Sequence, residues 1–537
     1  MRALIRLIGR FRRDRRGNIA VIFALALLPL LSAVGCAVDY SLATRMKAKM
    51  QSAADAAAVA SISQNSAGFI AAAAMSSNGS VAAGVTDANN VFNGNIKPVT
   101  GYSGLTLTST VTKTGATLTS LVQFSANVPV VFMKVLGYQT LTVTGSSSAT
   151  SSLPLYIDFY MTLDVSGSMG LPSTPSEALR MQAINPDNFV QYPTGCTLAC
   201  HFAPQNSACT DSGTQQYPTD NYCMGYVYSR LGQTALSTLI KKTSTPGIPK
   251  ATPPSLPTAM LNGTGVLNAL TGANPLITGN SSSLPYSVPA ASSCPTQGSD
   301  ACIQLRLDAV GVALSDLFQT ASSPQYLLVP NQFRIGLYPF ITSLYQTYSP
   351  LTYSYGPSSA INTAATNLAT LLDTNMNSSL GSGGTHIDVA LNSMNGMIIN
   401  PGTGTTPTNT LPYVFLITDG AQDPQSKGVP NGGWSGSNHA TVLNNPSNSY
   451  PNACATLKNR GITIAVLYIP YQPISPVNAS FAGDEDDAAN NNIPSIPPSL
   501  QACASNGFFY TANTPADITS ALQTMFKQAL AVAHITN

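Results

Sequence analysis

Twenty consecutive residues without a charge, Ile19–Val38, constrain this chain more than any other feature of its sequence. At about 1.5 Å per residue, a helix of this length spans roughly 30 Å, the thickness of the hydrocarbon core of a bilayer. Pro29 lies inside the run, and transmembrane helices tolerate proline when neighbouring groups satisfy the freed carbonyl. We therefore expect residues 17–40 to form a transmembrane helix.

Basic residues are concentrated on the N-terminal side of this run. Seven arginines lie between Arg2 and Arg16, and the positive-inside rule places residues 1–16 in the cytoplasm and the bulk of the chain across the membrane. Ten of the 24 basic residues lie in the first 50 positions, so the body that follows is mildly acidic. Such a body argues against a nucleic-acid-binding protein, whose affinity depends on clustered lysines and arginines.

A cleaved secretory signal or a lipoprotein signal is the alternative explanation of an apolar N-terminal run. The run is longer than the usual apolar region of a signal peptide, and no clean Ala-x-Ala site follows it. Cleavage before Cys36 would give a lipoprotein, although Ala33 stands where leucine is usual. We therefore favour a retained transmembrane helix, and a cleaved secretory signal and a lipoprotein signal are the two alternatives.

Two segments separate the apolar run from the C-terminal part of the chain. In residues 41–62, apolar residues recur at steps of three and four, which predicts an amphipathic helix that continues out of the membrane. Residues 63–150 contain alternating runs such as LTLTSTVTKTG, which predict a small β-rich periplasmic module. The Ser-rich stretch Gly145–Ser152 is expected to be a linker.

Strand and helix patterns alternate over residues 153–537. Near-continuous apolar runs such as LYIDFYMTLD and YVFLITD are typical of central parallel strands, and segments with helical spacing separate them. This alternation predicts an α/β fold, a doubly wound and mostly parallel sheet with helices on both faces. The pattern breaks off over residues 171–301, a stretch too long for a structureless loop, so we expect an inserted subdomain there.

Eight of the nine cysteines lie beyond Thr150, on the predicted outer side of the membrane. An even number in an oxidising compartment predicts disulfides. Cys454 and Cys503 fall on two predicted helices of the α/β body, and we expect them to pair. The cysteines in or beside the insertion are then expected to pair among themselves, namely Cys196, Cys200, Cys209, Cys223, Cys294 and Cys302.

The first part of the insertion also allows two sharper interpretations. Cys196, Cys200, His201 and Cys209 could bind zinc. The order Cys196, Cys200, His201 is that of a c-type haem attachment site, but three residues rather than two separate the cysteines. Disulfides remain the favoured interpretation because the cysteine count is even.

Oxygen-bearing side chains follow two of the apolar strands and precede one helix. They are Asp164, Ser166 and Ser168 after the first strand, Thr385 before the helix HIDVAL, and Asp419 after the strand ending in LIT. Ligand sites of α/β sheets gather at the carboxyl ends of the strands, and hydroxyl and carboxylate oxygens are hard ligands that suit Mg²⁺. The alternatives are a metal-free cap of the sheet edge and a serine nucleophile, which would need a base close to Ser166 or Ser168.

These three pieces, DxSxS, then GGT before a helix, then a strand ending in TDG, resemble the metal-ion-dependent adhesion site of von Willebrand factor A domains. The resemblance implies a von Willebrand A or Rossmann-like fold in which Ser166, Ser168 and Thr385 bind a divalent cation directly. It implies that Asp164 and Asp419 act through water, and that a carboxylate of a partner protein fills the open position. Mg²⁺ is the expected ion, with Mn²⁺ and Ca²⁺ as alternatives. Asp164→Ala is expected to abolish metal-dependent binding and, as a surface-loop change, to leave the fold largely intact.

The front of the chain resembles a second family. RRGN at the membrane entry, AVDY at its exit and the helix containing QSAADAA are similar to the N-terminal segment of TadE/TadG-like proteins of the Flp (tight adherence) pilus. TadG-type members often carry a C-terminal von Willebrand A-like domain, so the resemblance covers both ends of the chain. Related pseudopilins have a glutamate five residues after the processing glycine, whereas here Ile22 lies five residues after Gly17. The resemblance thus implies an unprocessed, single-pass protein of the bacterial inner membrane.

The resulting prediction is a non-enzymatic membrane protein with a periplasmic bulk that holds or guides pilus-assembly or pilin-like proteins through a metal site. A surface-exposed or pilus-associated adhesin that binds an external ligand is the alternative in another class. A c-type cytochrome or metalloenzyme built on the insertion is a third.

Overall fold

The computed structural model describes residues 17–182, 229, 293–299, 302–373, 377–427, 434–436, 440–443, 452–473 and 486–535. The chain divides into two compact units, Met1–Pro154 and Leu155–Asn537. The predicted cytoplasmic residues 1–16 lie outside the described residues. So does most of the predicted insertion, including Cys196, Cys200, His201, Cys209 and Cys223.

The first unit is built on one long helix, α1 (Gly17–Ala60), with Pro29 inside it. Within the described residues, one helix is long and apolar enough to cross a membrane, and the side chains of its apolar stretch are mostly exposed. The predicted transmembrane and amphipathic segments are therefore one continuous helix. It is followed by α2 (Ala67–Ala74), β1 (Gly79–Ser80) and α3 (Ala82–Ile96).

A four-stranded antiparallel sheet completes this unit. Its strands are β1, β2 (Ser103–Thr114), β3 (Thr117–Pro129) and β4 (Thr140–Ser152), in that order. The C-terminal half of α1 packs on this sheet and on α3, and its core includes Met50, Phe92 and Phe124. The sequence predicted a small β-rich module for residues 63–150, and it did not indicate α2 and α3. The Ser-rich stretch expected to be a linker is part of β4, because its backbone pairs with β3 along the whole strand.

The second unit contains a six-stranded sheet that is parallel except at one edge. Five strands are parallel to one another, namely β5 (Ile157–Asp164), β6 (Phe333–Phe340), β8 (Leu411–Thr418), β13 (Thr463–Tyr468) and β14 (Phe509–Thr511). The sixth strand, β7 (Ser349–Thr352), runs antiparallel to β6. The order is β14-β13-β8-β5-β6-β7. Every residue of β5 is buried, as expected for a central parallel strand. The predicted mostly parallel sheet is confirmed.

Helices cover both faces of this sheet. On one face, α5 (Arg306–Ala321) and α11 (Pro515–Ile535) pack together. The ring centroids of Phe159 in β5 and Phe526 in α11 are 5.3 Å apart. On the other face, α7 (Ile387–Met397), α8 (Ala453–Asn459) and α10 (Ile496–Cys503) share a core with Tyr160. The remaining short elements are α4 (Pro175–Gln182), α6 (Ala360–Thr366), β9 (Ala421–Gln422), β10 (Ser426–Lys427), β11 (Trp434–Ser435), β12 (Thr441–Val442) and α9 (Asp486–Asn492).

Two disulfides join described residues of this unit. Cys454 of α8 is joined to Cys503 of α10, the pair expected from the sequence. Cys294 is joined to Cys302, a bond between two of the six cysteines expected to pair among themselves.

The two ends of the predicted insertion are held close to the α/β body. Beside the Cys294–Cys302 bond, the fully buried Glu177 of α4 accepts hydrogen bonds from the backbone amides of Gly298 (3.0 Å) and Gln304 (2.7 Å) and from Arg180 (2.7 Å). Both ends of the segment therefore return to the same edge of the domain.

Candidate metal centre

Strands β5 and β8 are neighbours in the sheet, and both end at its carboxyl edge. The chain leaves β5 toward β6 on one side, whereas β8 lies on the other side, so the connections diverge at this point. A crevice opens at such a switch point in open α/β sheets, and ligands bind there. Asp164 is the last residue of β5, and Asp419 directly follows β8.

Asp164 is buried and held by its neighbours. Its Oδ1 accepts a hydrogen bond from the Ser166 amide (3.0 Å), and its Oδ2 accepts one from the Thr418 hydroxyl (2.6 Å). Burial raises the pKa of Asp164, and the bonds from Ser166 and Thr418 oppose that rise. The expectation that Asp164 is a surface-loop residue is wrong, since its relative exposure is 1%. Asp164→Ala would leave buried donors unpaired, so it tests the fold as well as the site.

The two serines follow in a tight turn. Residues Gly167–Gly170 form a 3₁₀ turn directly after Ser166, and this places the Ser166 and Ser168 hydroxyl oxygens 3.3 Å apart. Both serines are buried. Because of this turn, the two serines of DxSxS place their hydroxyl groups next to each other beside the end of β5.

Asp419 is the least satisfied group of the site. It is fully buried, and neither carboxylate oxygen makes a hydrogen bond of standard geometry within the described residues. Burial, and then the negative charge of Asp164, raise the pKa of Asp419 to about 7, although the Ser168 hydroxyl and the Arg306 guanidinium oppose the rise. A buried carboxylate that lacks hydrogen bonds of standard geometry is unstable unless it binds a proton or a cation.

Arg306 at the start of α5 carries a positive charge that acts on Asp419. One of its terminal nitrogens donates to the Pro470 carbonyl (2.9 Å), and the other has no hydrogen-bond partner among the described residues. Arg306 therefore compensates the carboxylate only through space.

Thr385 lies on the loop before α7. Its amide donates to the Asp423 carbonyl (3.1 Å), and its carbonyl accepts from the Asp423 amide (2.9 Å). A Cβ at Gly384 would lie 1.9 Å from the Gln425 carbonyl oxygen, so only glycine allows this close approach of the two loops. The loop that carries Thr385 is thus held beside the segment that follows Asp419.

A residue that the sequence did not single out connects the Thr385 loop to the serines. Asp373 is buried, and its Oδ1 and Oδ2 accept hydrogen bonds from the Ser382 hydroxyl and the Gly383 amide, both at 2.7 Å. Its own amide donates to the carbonyl of Val165, which lies between Asp164 and Ser166 (3.2 Å). No sequence signal marks Asp373, because its partners are distant along the chain. Thr418 was missed as well, although it lies within the TDG motif.

The donor set suits a hard divalent cation. The structure brings Asp164, Ser166, Ser168 and Asp419 together and positions Thr385 on an adjoining loop. The unpaired oxygens of Asp419 provide the negative charge that such an ion needs. Within the described part of the chain, no three His, Cys, Asp or Glu side chains are grouped as metal ligands, so a site here must use the hydroxyl groups. A serine nucleophile would need a base, but neither serine hydroxyl contacts a histidine within the described residues. The Nε2 atom of His386 lies 3.3 Å from the Gln425 carbonyl oxygen instead.

Three solved structures are distantly similar to this chain. The PilB minor pilin from Streptococcus sanguinis has a TM-score of 0.30 at 10% identity, covering 80% of this chain and 78% of that one. The vWF domain of the type V pili tip protein Mfa5 from Porphyromonas gingivalis has a TM-score of 0.25 at 14% identity, covering 42% and 88%. The pilus adhesin SpaC from Lactobacillus rhamnosus GG, in the open conformation, has a TM-score of 0.29 at 10% identity, covering 79% of this chain. This chain spans about a third of SpaC, 34% of its length. All three TM-scores are below 0.5.

No curated protein matches the sequence. The N-terminal segment, however, matches a family. Residues 17–75, which include all of α1 and α2, match the model described as "Putative Flp pilus-assembly TadE/G-like".

Proposed function

We propose that this protein is a membrane-anchored, non-enzymatic component of Flp/Tad pilus assembly that binds protein partners through a divalent cation. The pilus assignment is supported by the TadE/G-like match over residues 17–75, and the single-pass placement by the apolar half of α1. In this proposal α1 spans the inner membrane with residues 1–16 in the cytoplasm, and the rest of the first unit and the whole second unit lie in the periplasm.

The observation that carries the metal-dependent part is the buried carboxylate of Asp419. It lies beside Asp164 and Ser168 with two unpaired oxygens, where a cation would compensate its charge. The proposed ligands are Ser166, Ser168 and Thr385 through their hydroxyls and Asp164 and Asp419 through water, as in the adhesion site of von Willebrand A domains. A bound Mg²⁺, or Mn²⁺ or Ca²⁺, would neutralise the carboxylates and offer an open position to a carboxylate of the partner.

A pull-down from solubilised envelopes tests this function with a pair of matched variants. Thr385→Val removes a proposed ligand hydroxyl and keeps the branched shape of the side chain. Thr162→Val makes the same change on β5, where the buried hydroxyl has no hydrogen-bond partner among the described residues. We expect pilus-assembly proteins to be recovered with wild type and Thr162→Val in Mg²⁺, and to be lost with Thr385→Val or in EDTA.

Each other outcome of this experiment removes a different part of the proposal. If the same partners persist in all arms, the metal does not mediate the contact. If no pilus protein is recovered in any arm, the pilus assignment fails. If, in addition, protease added outside intact cells cleaves the chain between β5 and β6, the protein is a surface adhesin.

The Asp373 network predicts a positioning effect on the metal. In Asp373→Asn, an amide group replaces one of the two accepting oxygens, so the loop that carries Thr385 loses a hydrogen bond. Because groups that orient metal ligands affect affinity strongly, we expect Mg²⁺ binding to weaken by about 10- to 100-fold. Calorimetric titration of the solubilised protein measures this, with Asp316→Asn on α5 as the control. Equal Mg²⁺ affinity in wild type and Asp373→Asn would show that Asp373 does not position the site.

A further inference from the structure

The connection between β3 and β4 exposes an apolar surface. Residues 131–138, VFMKVLGY, contain one charged side chain, Lys134. Five large apolar or aromatic side chains of this segment are at least half exposed: Val131 at 63%, Phe132 at 50%, Val135 at 78%, Leu136 at 53% and Tyr138 at 56%. A contiguous exposed apolar surface of this kind marks an interaction site. We call residues 131–138 the apolar loop.

The apolar loop is fixed to α1 at the point where the uncharged run ends. Asp39 is the first charged residue after that run, and it accepts hydrogen bonds from the amides of Val131 (3.0 Å), Phe132 (2.9 Å) and Met133 (2.7 Å). The side chain of Phe132 packs over Gly35, where an added Cβ would lie 2.5 Å from the Phe132 Cβ. The loop therefore lies beside the last turn of the predicted membrane span.

The exposed apolar surface of the loop is continuous with that of the helix. On α1, Leu31, Val34 and Val38 are also exposed, just before and beside the residues that the loop contacts. The three amides bonded to Asp39 satisfy its carboxylate, so this charge can lie close to lipid at a reduced desolvation penalty. Tyr138 and Lys134 are the residue types that lie at the lipid headgroups, with an apolar body in lipid and a polar end in water.

We propose that the apolar loop inserts into the interfacial layer of the bilayer on the side where α1 leaves the membrane. It would form a second membrane contact that fixes the depth and tilt of α1. This inference depends on the membrane-spanning role of α1 in the proposed function. Neither the metal site nor a pilus partner is needed for it.

Depth-dependent fluorescence quenching tests the inference on the full-length chain. The single native tryptophan is removed by Trp434→Phe, and one tryptophan is introduced at a time by Val135→Trp, Leu25→Trp or Ile70→Trp. Leu25 lies within the proposed span and is 67% exposed. Ile70 of α2 is an exposed apolar residue of the same unit, and α2 follows the far end of α1, about 40 Å from Gly35 at 1.5 Å per residue. Nanodiscs with one copy each, containing lipids brominated at the 6,7 or the 11,12 positions, exclude contacts between copies.

We expect Val135→Trp to lose emission with both lipids, and more with the shallower 6,7 bromines. Leu25→Trp should lose more with the deeper bromines, and Ile70→Trp should lose none. If Leu25→Trp is quenched but Val135→Trp and a second variant, Leu136→Trp, are not, the apolar loop lies in water or against protein, and the inference is overturned. If Leu25→Trp is not quenched either, α1 does not span the membrane, and the proposed anchoring fails together with the inference.

Discussion

In EDTA, we expect the free energy of unfolding to fall by about 4 kcal/mol as the pH rises from about 4 to about 7 because of Asp419 alone. The folded-state pKa of this carboxyl is raised from 3.8 to about 7 by burial and by the charge of Asp164. Between these two values, the folded chain holds a proton that the unfolded chain has released. Raising the pH therefore favours unfolding, and a pKa difference of about 3 corresponds to about 4 kcal/mol.

Saturating Mg²⁺ is expected to remove most of this pH dependence. A bound cation stabilises the ionised carboxylate, so the proton is no longer needed, and the ion adds stability by binding only the folded state. Near pH 7 the wild type should thus be more stable in Mg²⁺ than in EDTA. Asp419→Asn has no group to ionise, so it should show a flatter profile in EDTA and little gain from Mg²⁺.

Urea unfolding of the detergent-solubilised protein at several pH values, in Mg²⁺ and in EDTA, measures these differences. Asp55→Asn is the control for the substitution itself, because Asp55 is exposed on α1 and accepts a hydrogen bond from the neighbouring Gln51 side chain (2.9 Å). It should match the wild type in its pH profile and in its response to Mg²⁺. The same pH slope in Asp419→Asn and wild type would show that Asp419 carries no such penalty, and it would remove the main support for the metal site.

The second large effect is expected from the disulfide between α8 and α10. Cys454 and Cys503 are 49 residues apart, and both sulfur-bearing side chains are buried in the core on one face of the sheet. The chain-entropy estimate for a loop of this length is about 4 kcal/mol, because the bond restricts the unfolded chain. We expect the double variant Cys454→Ala/Cys503→Ala to lose about that much stability while keeping its Mg²⁺ affinity.

The other disulfide provides a control within the same unit. Cys294 and Cys302 are 8 residues apart, and the same estimate gives about 2.5 kcal/mol for that shorter loop. Urea unfolding of both double alanine variants compares the two losses directly. A loss for Cys454→Ala/Cys503→Ala that is equal to or smaller than that for Cys294→Ala/Cys302→Ala would contradict the loop-length argument.

Hydrophobic patterns in the sequence were sufficient to predict those helices and strands whose burial or exposure is set by their own residues. The uncharged run Ile19–Val38 predicted the exposed apolar part of α1, and the apolar runs around Phe159 and Phe415 predicted buried parallel strands. The helices α2 and α3 were missed because the alternating runs around them favoured strands. The edge strand β7 was missed because its four residues are too few to show an alternating hydrophobic pattern.

For the candidate site, the sequence alone determined the type and order of the oxygen donors and their positions at the ends of strands. Only the tertiary structure decided their environment. Asp164 proved to be buried rather than exposed, and Asp419 was left with unpaired oxygens beside it. Asp373 became the link between the serine turn and the Thr385 loop. The physical reason is that hydrogen bonding and desolvation depend on which distant segments meet, and β8 pairs with β5 from about 250 residues further along the chain.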